Sequence, residues 1–336
     1  MTPLVSILIP AFNAEAWIGD AIGSALHQTW PRTEVIVVDD GSTDSTLRAA
    51  RRFESRAVRV IAQPNAGAAA ARNRALAAAQ GDYIQWLDAD DLLEAGKVAC
   101  QMRAARSDGP RRLLSGAFGR FMYRPARAEF VPTALWADLS PIDWLLLKFG
   151  HNLYMQTASW LVSRELTEQA GPWNTSLLGD DDGEYFCRVL LASDGVRFVP
   201  ESRVFYRMTG GATLSYVGSS DRKMEAHFRS LYLHINYLLS LENSDRTRAA
   251  CVTYLQNSMI HVFPERSDIV TQAQALAESL GGCLRPPQLP RKYALITSLV
   301  GMKYAKRIQR VSQNAKWSLR RRWDHALSGM ETLTHS

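Results

Sequence analysis

Two carboxylates separated by one residue, Asp88 and Asp90, are the feature of this sequence with the most definite chemistry. They follow the apolar segment 82–87, which is typical of a buried strand. At a strand end, two such oxygen ligands could hold Mg²⁺ or Mn²⁺, while water and a phosphate group complete the coordination. Aspartate-rich turns also cap helices, so the spacing alone leaves both interpretations open.

Two further polar segments could bind a nucleotide. Asp40 lies in the sequence Asp39–Asp44 (DDGSTD), where a carboxylate could accept hydrogen bonds from a nucleobase and Gly41 would allow close approach of the backbone. Arg72 follows a Pro-Asn-Ala-Gly loop that contains Asn65, and its guanidinium could face an anionic or planar group. The alternatives are a helix-capping turn and a surface arginine on an alanine-rich helix.

A run of acids, Asp180 to Asp182, precedes a predicted helix. Adjacent carboxylates repel one another, so we expect the pKa of at least one of them to be raised. Such a group could act as a general base. The run could equally complement the dipole of the helix that follows it.

The elements that must position these side chains alternate between strand and helix through the first ninety or so residues. The predicted strands are 4–9, 34–38, 58–62 and 82–87, and the helices are 14–27, a segment ending near 52, and 68–79. This alternation predicts a parallel α/β sheet, in which ligands bind beyond the carboxyl ends of the strands. We therefore expect the clusters 10–13, 39–44 and 88–91 to converge at one edge.

The second half of the chain has a mixed pattern and then a helical one. Residues 113–123, 156–162 and 198–206 are predicted to be strands, and residues 177–191 an acidic loop that opens a helix. From Asp221 onward the apolar spacing is helical. We place a domain boundary near residue 218.

Charge and composition exclude several classes of protein. The chain has 336 residues and a net charge of +6, but residues 291–323 contain ten Lys/Arg and no Asp/Glu, so the remainder is mildly acidic. The basic character belongs to this tail, and no nucleic-acid partner is expected. The four scattered cysteines form no CxxC pair, and the first nine residues do not resemble a signal peptide. No apolar run approaches a membrane span, so we expect a cytoplasmic protein.

The basic tail, residues 291–323, has an apolar stripe at helical spacing, with Lys and Arg on both sides. The stripe contains Tyr304, Ile308, Val311, Ala315 and Leu319. This pattern is typical of a helix on an anionic membrane surface, which would place the protein at the inner face of the membrane. The alternative is a C-terminal helix packed on the body with a solvated cationic face.

Taken together, the motifs resemble the family 2 glycosyltransferases of the GT-A fold, inverting enzymes with an Asp-X-Asp motif. The resemblance covers residues 3–215. The matching segments are Val5–Asn13, Val35–Thr46, Gln63–Asn73 and Gly81–Asp91, then Gly171–Asn174, Asp181-Asp182 with Arg188, and Tyr206-Arg207. It implies a GT-A domain over 1–218, with a nucleotide-sugar donor half (1–110) and an acceptor half (111–218), followed by a mainly helical region over 219–336.

The resemblance also implies roles for individual residues. Asp182 is expected to be the catalytic base, and Asp88 and Asp90 are expected to reach the ribose and a Mg²⁺ or Mn²⁺ ion on the diphosphate. The remaining expected donor-binding residues are Pro10, Ala11, Asn13, Asp40, Asn65, Arg72 and Arg207. Where the family often carries a His after the Tyr-Arg pair, this chain has Thr209, so the number of protein ligands to the metal is left open.

The implied activity is inverting, metal-dependent transfer of a sugar from a nucleotide diphosphate, with UDP as the expected nucleotide. The expected acceptor is a hydroxyl of a saccharide or lipid-linked saccharide in the synthesis of surface polysaccharide or glycolipid. Two alternatives are a sugar-1-phosphate nucleotidyltransferase and a non-catalytic nucleotide-sugar-binding protein. The residues 11–14 lack the glycine-rich, basic loop of the former, and the intact acids argue against the latter.

Overall fold

The four alternating strands of the N-terminal half form one parallel sheet. The structure is a computed structural model that describes residues 2–209 and 217–334. Its strands are β1 (Val5–Ala11), β2 (Thr33–Asp40), β3 (Val58–Gln63), β4 (Tyr83–Trp86), β5 (Leu92–Leu93), β6 (Leu113–Phe121), β7 (Glu129–Phe130), β8 (Val162–Ser163) and β9 (Val196–Arg207). The first sheet has the order β3-β2-β1-β4-β8, and only β8 runs antiparallel to its neighbour. The predicted parallel sheet is thus confirmed.

The helices cover both this sheet and the C-terminal half. They are α1 (Ile18–Leu26), α2 (Thr46–Arg51), α3 (Ala68–Ala78), α4 (Lys97–Asp108), α5 (Pro141–His151), α6 (Arg164–Ala170), α7 (Asp181–Ala192), α8 (Asp221–Leu241), α9 (Asp245–Val262), α10 (Ser267–Ser279) and α11 (Ala294–Thr334). Gly301 interrupts α11 with non-helical backbone angles. No helix in the described ranges is both long enough and apolar enough to cross a bilayer.

Two sequence-based element predictions need correction. Asp39 and Asp40 belong to β2, where they pair with β1 and β3. The N-cap of α2 is Ser45, which makes no side-chain cap bond, and Asp44 accepts a 2.9 Å bond from the Thr46 N–H. Residues 156–162 are a short 3₁₀ turn leading to the two-residue β8 instead of a continuous strand. The Gln156 side chain caps that turn by accepting from the Ala158 N–H, which competes with strand pairing.

A second sheet brings the C-terminal half to the end of β4. Its order is β5-β9-β6-β7, with β6 and β9 parallel. The short β5 follows directly after Asp91 and pairs with β9 near Phe205. The end of β9, Arg207, therefore lies beside the turn that carries Asp88 and Asp90.

One apolar core joins the first sheet to the helices of the C-terminal half. It includes Ile7 and Val37 from the sheet, Tyr185 from α7, Ile235 from α8 and Leu255 from α9. Because α8 and α9 contribute to this core, they pack directly against the N-terminal half, and the domain boundary near residue 218 stays a prediction. The architecture is the expected mixed α/β sheet with a mainly helical C-terminal region.

Candidate active site

The Asp88–Asp91 turn forms the centre of the site, just beyond the carboxyl end of β4. Asp88 and Asp90 are half-buried, whereas Asp91 is fully buried. Burial, and then the charge of Asp88, raises the pKa of Asp90 to about 6. Asp91 accepts from the Arg207 N–H at 2.8 Å and from the Gln156 side chain at 2.5 Å, so it fastens the turn to β9 and to the 156–159 turn.

Arg72 joins this turn to the acidic run at the start of α7. Its two terminal nitrogens donate to Asp88 at 3.0 Å and to Asp181 at 2.7 Å, and the residue is 7% exposed. Burial acts to lower the pKa of Arg72, but the charges of Asp181, Asp88 and Asp182 outweigh burial and leave the pKa raised. One guanidinium therefore holds acids from remote parts of the chain together.

Aromatic packing and one amide fix the position of Arg72. Its guanidinium lies 4.4 Å from the ring centroid of Trp173. Asn73, the next residue of α3, exchanges two hydrogen bonds of 2.8 and 2.9 Å with the backbone of Trp173. The Trp173 ring stacks on Tyr185 of α7 at 4.2 Å and meets Trp86 of β4 edge-on, so strand, loop and helix are locked together.

Asp182, the expected base, is half-buried at the start of α7. Its carboxylate accepts a long 3.3 Å hydrogen bond from the Thr157 hydroxyl. Burial, followed by the charges of Asp181 and Asp180, raises the pKa of Asp182 to about 6. This agrees with the expectation that one member of the acidic run has a raised pKa, and it suits a group that accepts a proton near neutral pH.

Behind the acidic run, Asp180 anchors the start of α7 to α8. It adopts a left-handed backbone conformation (φ 56°) and accepts from the Ser230 hydroxyl at 2.6 Å. His234 lies buried nearby, with its Nδ1 2.9 Å from the Tyr254 hydroxyl. This network holds the loop from which Asp181 and Asp182 project.

The polar segments after β1 and β2 meet, as expected for neighbouring parallel strands. The Asn13 side-chain oxygen accepts from the Thr43 N–H at 2.8 Å, and the Asn13 N–H donates to the Ser42 hydroxyl at 3.0 Å. Pro10 is half-buried and Ala11 is buried at the end of β1. These contacts place the first two clusters side by side at the edge of the sheet.

Asp40 fastens the loop that leads into α3. Its two carboxylate oxygens accept from the Gln63 side chain (2.7 Å) and from the N–H groups of Ala66 (2.9 Å) and Gly67 (2.8 Å). Asn65 is exposed and donates to the Asp40 carbonyl at 2.9 Å. In this arrangement Asp40 organises the wall of the expected nucleoside pocket, and a direct contact between Asp40 and a base stays a prediction.

Arg207 lies at the edge of the same site, but protein groups surround its guanidinium. It donates to the Asp90 carbonyl at 2.7 Å and to the Asp20 carboxylate at 3.0 Å. The rings of Trp17 and Phe121 lie 4.4 and 4.6 Å from it. The structure thus shows Arg207 supporting the backbone of the Asp88–Asp91 turn, while its contact with a diphosphate stays a prediction.

The chemistry of Asp88 and Asp90 fits a hard divalent cation. Both are oxygen ligands at a strand end, and both are partly accessible. Within the described ranges, no group of three or more His, Cys, Asp or Glu side chains is placed to hold a metal. The protein pair would therefore need oxygen ligands from a diphosphate or water to complete a coordination shell.

Sequence reasoning missed several residues that build the site. Asp91 was part of a recognised motif, but nothing in the sequence indicates that it, unlike Asp90, points inward. Asp181 and Trp173 carried a partial signal, because both lie in segments matched by the family resemblance. Asp39 also was not singled out, although its buried Oδ1 has no hydrogen-bond partner among the described residues.

Comparison with known proteins was made for the sequence and for the fold. Residues 6–131 match the model of Glycosyl transferase family 2. The putative teichuronic acid biosynthesis glycosyltransferase TuaG of Bacillus subtilis is 43% identical over 103 residues, which are 30% of this chain and 41% of TuaG. The match thus spans about two fifths of that relative's length.

Two solved structures share the fold over most of the chain. S. aureus TarS 1-349 in complex with UDP-GlcNAc superposes with a TM-score of 0.66 and 17% identity, covering 90% of this chain and 87% of that one. The mannosyltransferase PcManGT from Pyrobaculum calidifontis, in complex with GDP-Man and Mn²⁺, gives 0.53 and 18%, covering 96% and 88%. These likenesses confirm the GT-A fold class, and residues 6–131 of this chain resemble glycosyl transferase family 2.

Proposed function

We propose that the protein transfers a sugar, with inversion, from a nucleotide diphosphate to a hydroxyl acceptor. The observation that carries the proposal is the Arg72 bridge, with bonds of 3.0 Å to Asp88 and 2.7 Å to Asp181. This bridge supports the proposal because it joins the expected donor-binding turn to the residue next to the expected base. Transfer needs both groups, one at the leaving diphosphate and one at the attacking hydroxyl.

In the proposed reaction, Asp182 removes the proton from the acceptor hydroxyl. The acceptor oxygen forms a bond to the anomeric carbon while the bond from that carbon to the diphosphate oxygen breaks on the opposite face. A Mg²⁺ or Mn²⁺ ion held by Asp88 and Asp90 would offset the negative charge of the departing diphosphate. Arg72 keeps the two acidic segments at a fixed separation throughout.

The relatives and the structural neighbours support a proposal for the donor and acceptor classes. TarS was solved with UDP-GlcNAc, which supports a UDP-sugar, whereas PcManGT was solved with GDP-Man and Mn²⁺, which supports the metal. TuaG is named for teichuronic acid biosynthesis. We therefore propose a UDP-sugar donor, a saccharide or lipid-linked saccharide acceptor in surface polysaccharide or glycolipid synthesis, and action on the cytoplasmic side of the membrane.

A thermal-shift series with UDP, GDP and their sugars, each with and without Mn²⁺, tests the donor class. A ligand that binds only the folded state raises the melting temperature, and the rise grows as the ligand concentration exceeds Kd. We expect the largest shift with a UDP-sugar and Mn²⁺ together. No shift with any of these nucleotides would contradict the proposal, and a GDP-selective shift would replace UDP as the donor nucleotide.

The variant Asp182→Asn tests the base. We expect UDP release from the preferred UDP-sugar to fall by about 10² to 10⁴, because general-base assistance contributes that much. The donor-induced thermal shift should stay close to that of the parent protein. Asp194→Asn, which removes an exposed carboxylate paired with Arg111, is the matched control. Equal loss of donor binding and turnover would refute the role assigned to Asp182.

A further inference from the structure

Large apolar side chains are unusually exposed along helix α11. Among the described residues, sixteen large hydrophobic side chains are strongly exposed, and nine of them lie between residues 295 and 330. Val311, Leu319 and Trp323 are 62%, 68% and 69% exposed. Isolated exposed hydrophobic residues are ordinary, but a contiguous set marks an interaction surface.

The exposed apolar residues between Gly301 and Trp323 lie along one side of the helix, which we call the outer stripe. Its members are Tyr304, Ile308, Val311, Ala315, Leu319 and Trp323. Their spacing of three or four residues places them along one side. Residues on another side, including Ala305 and Asp324, are buried or half-buried against the body. The helix therefore packs on the body and still leaves the outer stripe open.

Positive charge flanks the outer stripe, and the segment 291–323 contributes no acid of its own. Lys303, Arg307, Lys316, Arg320 and Arg322 are exposed, and the sequence from 291 to 323 contains no Asp or Glu. The first acid after this segment, Asp324, already accepts bonds from the Tyr123 N–H (2.9 Å) and the Arg124 side chain (2.8 Å). The exposed face is thus apolar at its centre and cationic at its margins.

We propose that the outer stripe and its basic flanks dock the protein on the surface of an anionic lipid bilayer. Apolar side chains would enter the interfacial region while Lys and Arg contact lipid phosphates. A second copy of the chain is a poorer occupant, because a twofold interface would bring the same basic flanks together. Charge complementarity thus favours lipid over self-association.

Side chains near residues 306 and 324 attach this helix to the body. Near its start, the Lys306 ammonium donates to the Phe263 carbonyl at 2.7 Å and to Glu265 at 2.8 Å. Near its end, Asp324 binds Tyr123 and Arg124, and Arg321 donates to the Tyr123 hydroxyl at 2.8 Å.

The second attachment reaches the candidate active site through aromatic side chains. The Tyr123 ring lies 5.7 Å from that of Trp17, which covers Arg207. Because Arg207 donates to the Asp90 carbonyl, the docked helix would be connected to the rim of the site.

Vesicle co-sedimentation of the full chain tests the proposal. Vesicles of phosphatidylcholine alone are compared with vesicles containing about a third phosphatidylglycerol, a fraction chosen to give a strongly anionic surface. We expect binding to the anionic vesicles that weakens as salt rises, since salt screens the charged part of the attraction. Absence of binding, or equal binding to neutral vesicles, would overturn the proposal.

Two sets of variants separate the apolar and the charged contributions. Val311→Gln, Leu319→Gln and Trp323→Gln together should weaken vesicle binding by at least about tenfold, because the apolar burial is lost. The control places the same change at exposed residues elsewhere, Val131→Gln, Tyr232→Gln and Leu241→Gln, and should keep binding.

For charge, we compare four substitutions to Ser in the tail with four on the body. The tail set is Lys303, Arg307, Lys316 and Arg320, and the control set is the exposed Arg51, Arg52, Arg56 and Arg59. Both sets of substitutions remove the same net charge. If the tail contacts the lipid directly, the tail set should weaken vesicle binding at least about tenfold more than the control set does. Equal weakening by both sets would contradict a specific docking face.

Sedimentation velocity without lipid decides between lipid and a second copy. We expect a mass that is the same for the parent chain and the Gln variant of the outer stripe. A dimer that dissociates in that variant, together with no vesicle binding, would reassign the outer stripe to self-association. Circular dichroism and the donor-induced thermal shift establish that each variant is folded.

Discussion

Arg72 and its partners show which site residues can be identified from the sequence and which cannot. Arg72, Asp88 and Asp90 can be singled out from their spacing and surroundings in the sequence. The partner Asp181 cannot, because three consecutive acids look alike until the orientation of α7 is known. Successive helical residues point about 100° apart, so only one of them faces Arg72 at 2.7 Å.

The roles of Asp91 and Arg207 depend on burial, which the neighbouring residues in the sequence do not reveal. Asp91 is fully buried with two hydrogen-bond donors to its carboxylate, while Asp90, its neighbour, is half-buried. Arg207 was expected at the diphosphate, and the structure places its guanidinium between Trp17 and Phe121. Such choices are made by packing of distant strands, here β9 against β5.

The raised pKa of Asp182 predicts a pH dependence of turnover. Burial and the neighbouring acids raise this pKa from 3.8 to about 6. A base must be ionised, so kcat/KM for UDP release should fall about tenfold per pH unit below about 6 and level off above it. The measurement is a pH–rate profile with donor binding followed in parallel. A flat profile through about pH 6 would show that another group accepts the proton.

At the level of elements, periodicity predicted the parallel sheet but not its exact ends. β2 continues through Asp39 and Asp40 because β1 and β3 offer partners up to that point. The 156–159 turn formed in place of a strand because a side chain caps it. Both outcomes depend on neighbours that a single segment does not contain.

Gly41 connects β2 to the proposed nucleotide side of the site and cannot carry a side chain without strain. Its φ is +71°, and an added Cβ would lie 2.6 Å from the backbone nitrogen of Asn65. We expect Gly41→Ala to lower the free energy of unfolding by about 1–3 kcal/mol and to weaken nucleotide binding. Chemical denaturation and thermal shift measure the two effects.

Gly23→Ala is the matched control for that substitution. Gly23 lies inside α1, where an added Cβ meets nothing within 4 Å. Helix propensity predicts a gain of up to about 1 kcal/mol there, with nucleotide binding unchanged. If Gly41→Ala behaved like Gly23→Ala, the close approach of residues 41 and 65 would not matter for the site.

For the whole molecule, the sequence predicted an amphipathic basic tail but left open whether it faces lipid or the body. The structure shows a helix that packs on the body along one side and exposes the apolar stripe along another. The attachment through Asp324 could not be predicted, because its partners Tyr123 and Arg124 lie about two hundred residues earlier in the chain.

Asp324→Ala should loosen the tail without removing its outer stripe. Loss of the bonds to Tyr123 and Arg124 costs about 1–2 kcal/mol, which raises the population of locally opened helix by about 5- to 30-fold. Hydrogen exchange of residues 310–324 measures this opening, and vesicle binding should persist. Glu242→Ala, which breaks an exposed ion pair with Arg246, should leave this exchange unchanged. Unchanged exchange in Asp324→Ala would mean that the attachment does not hold the tail.

The two attachments of α11 at Lys306 and Asp324 are about 27 Å apart along the helix axis. Contacts at two separated positions define the inclination of this helical segment relative to the carboxyl ends of β1, β2 and β4. A flat surface that carries substrate and contacts this helix would approach the candidate active site from one direction only. Molecules that diffuse within such a plane would reach Asp182 with their translation confined to two dimensions and their orientation already limited.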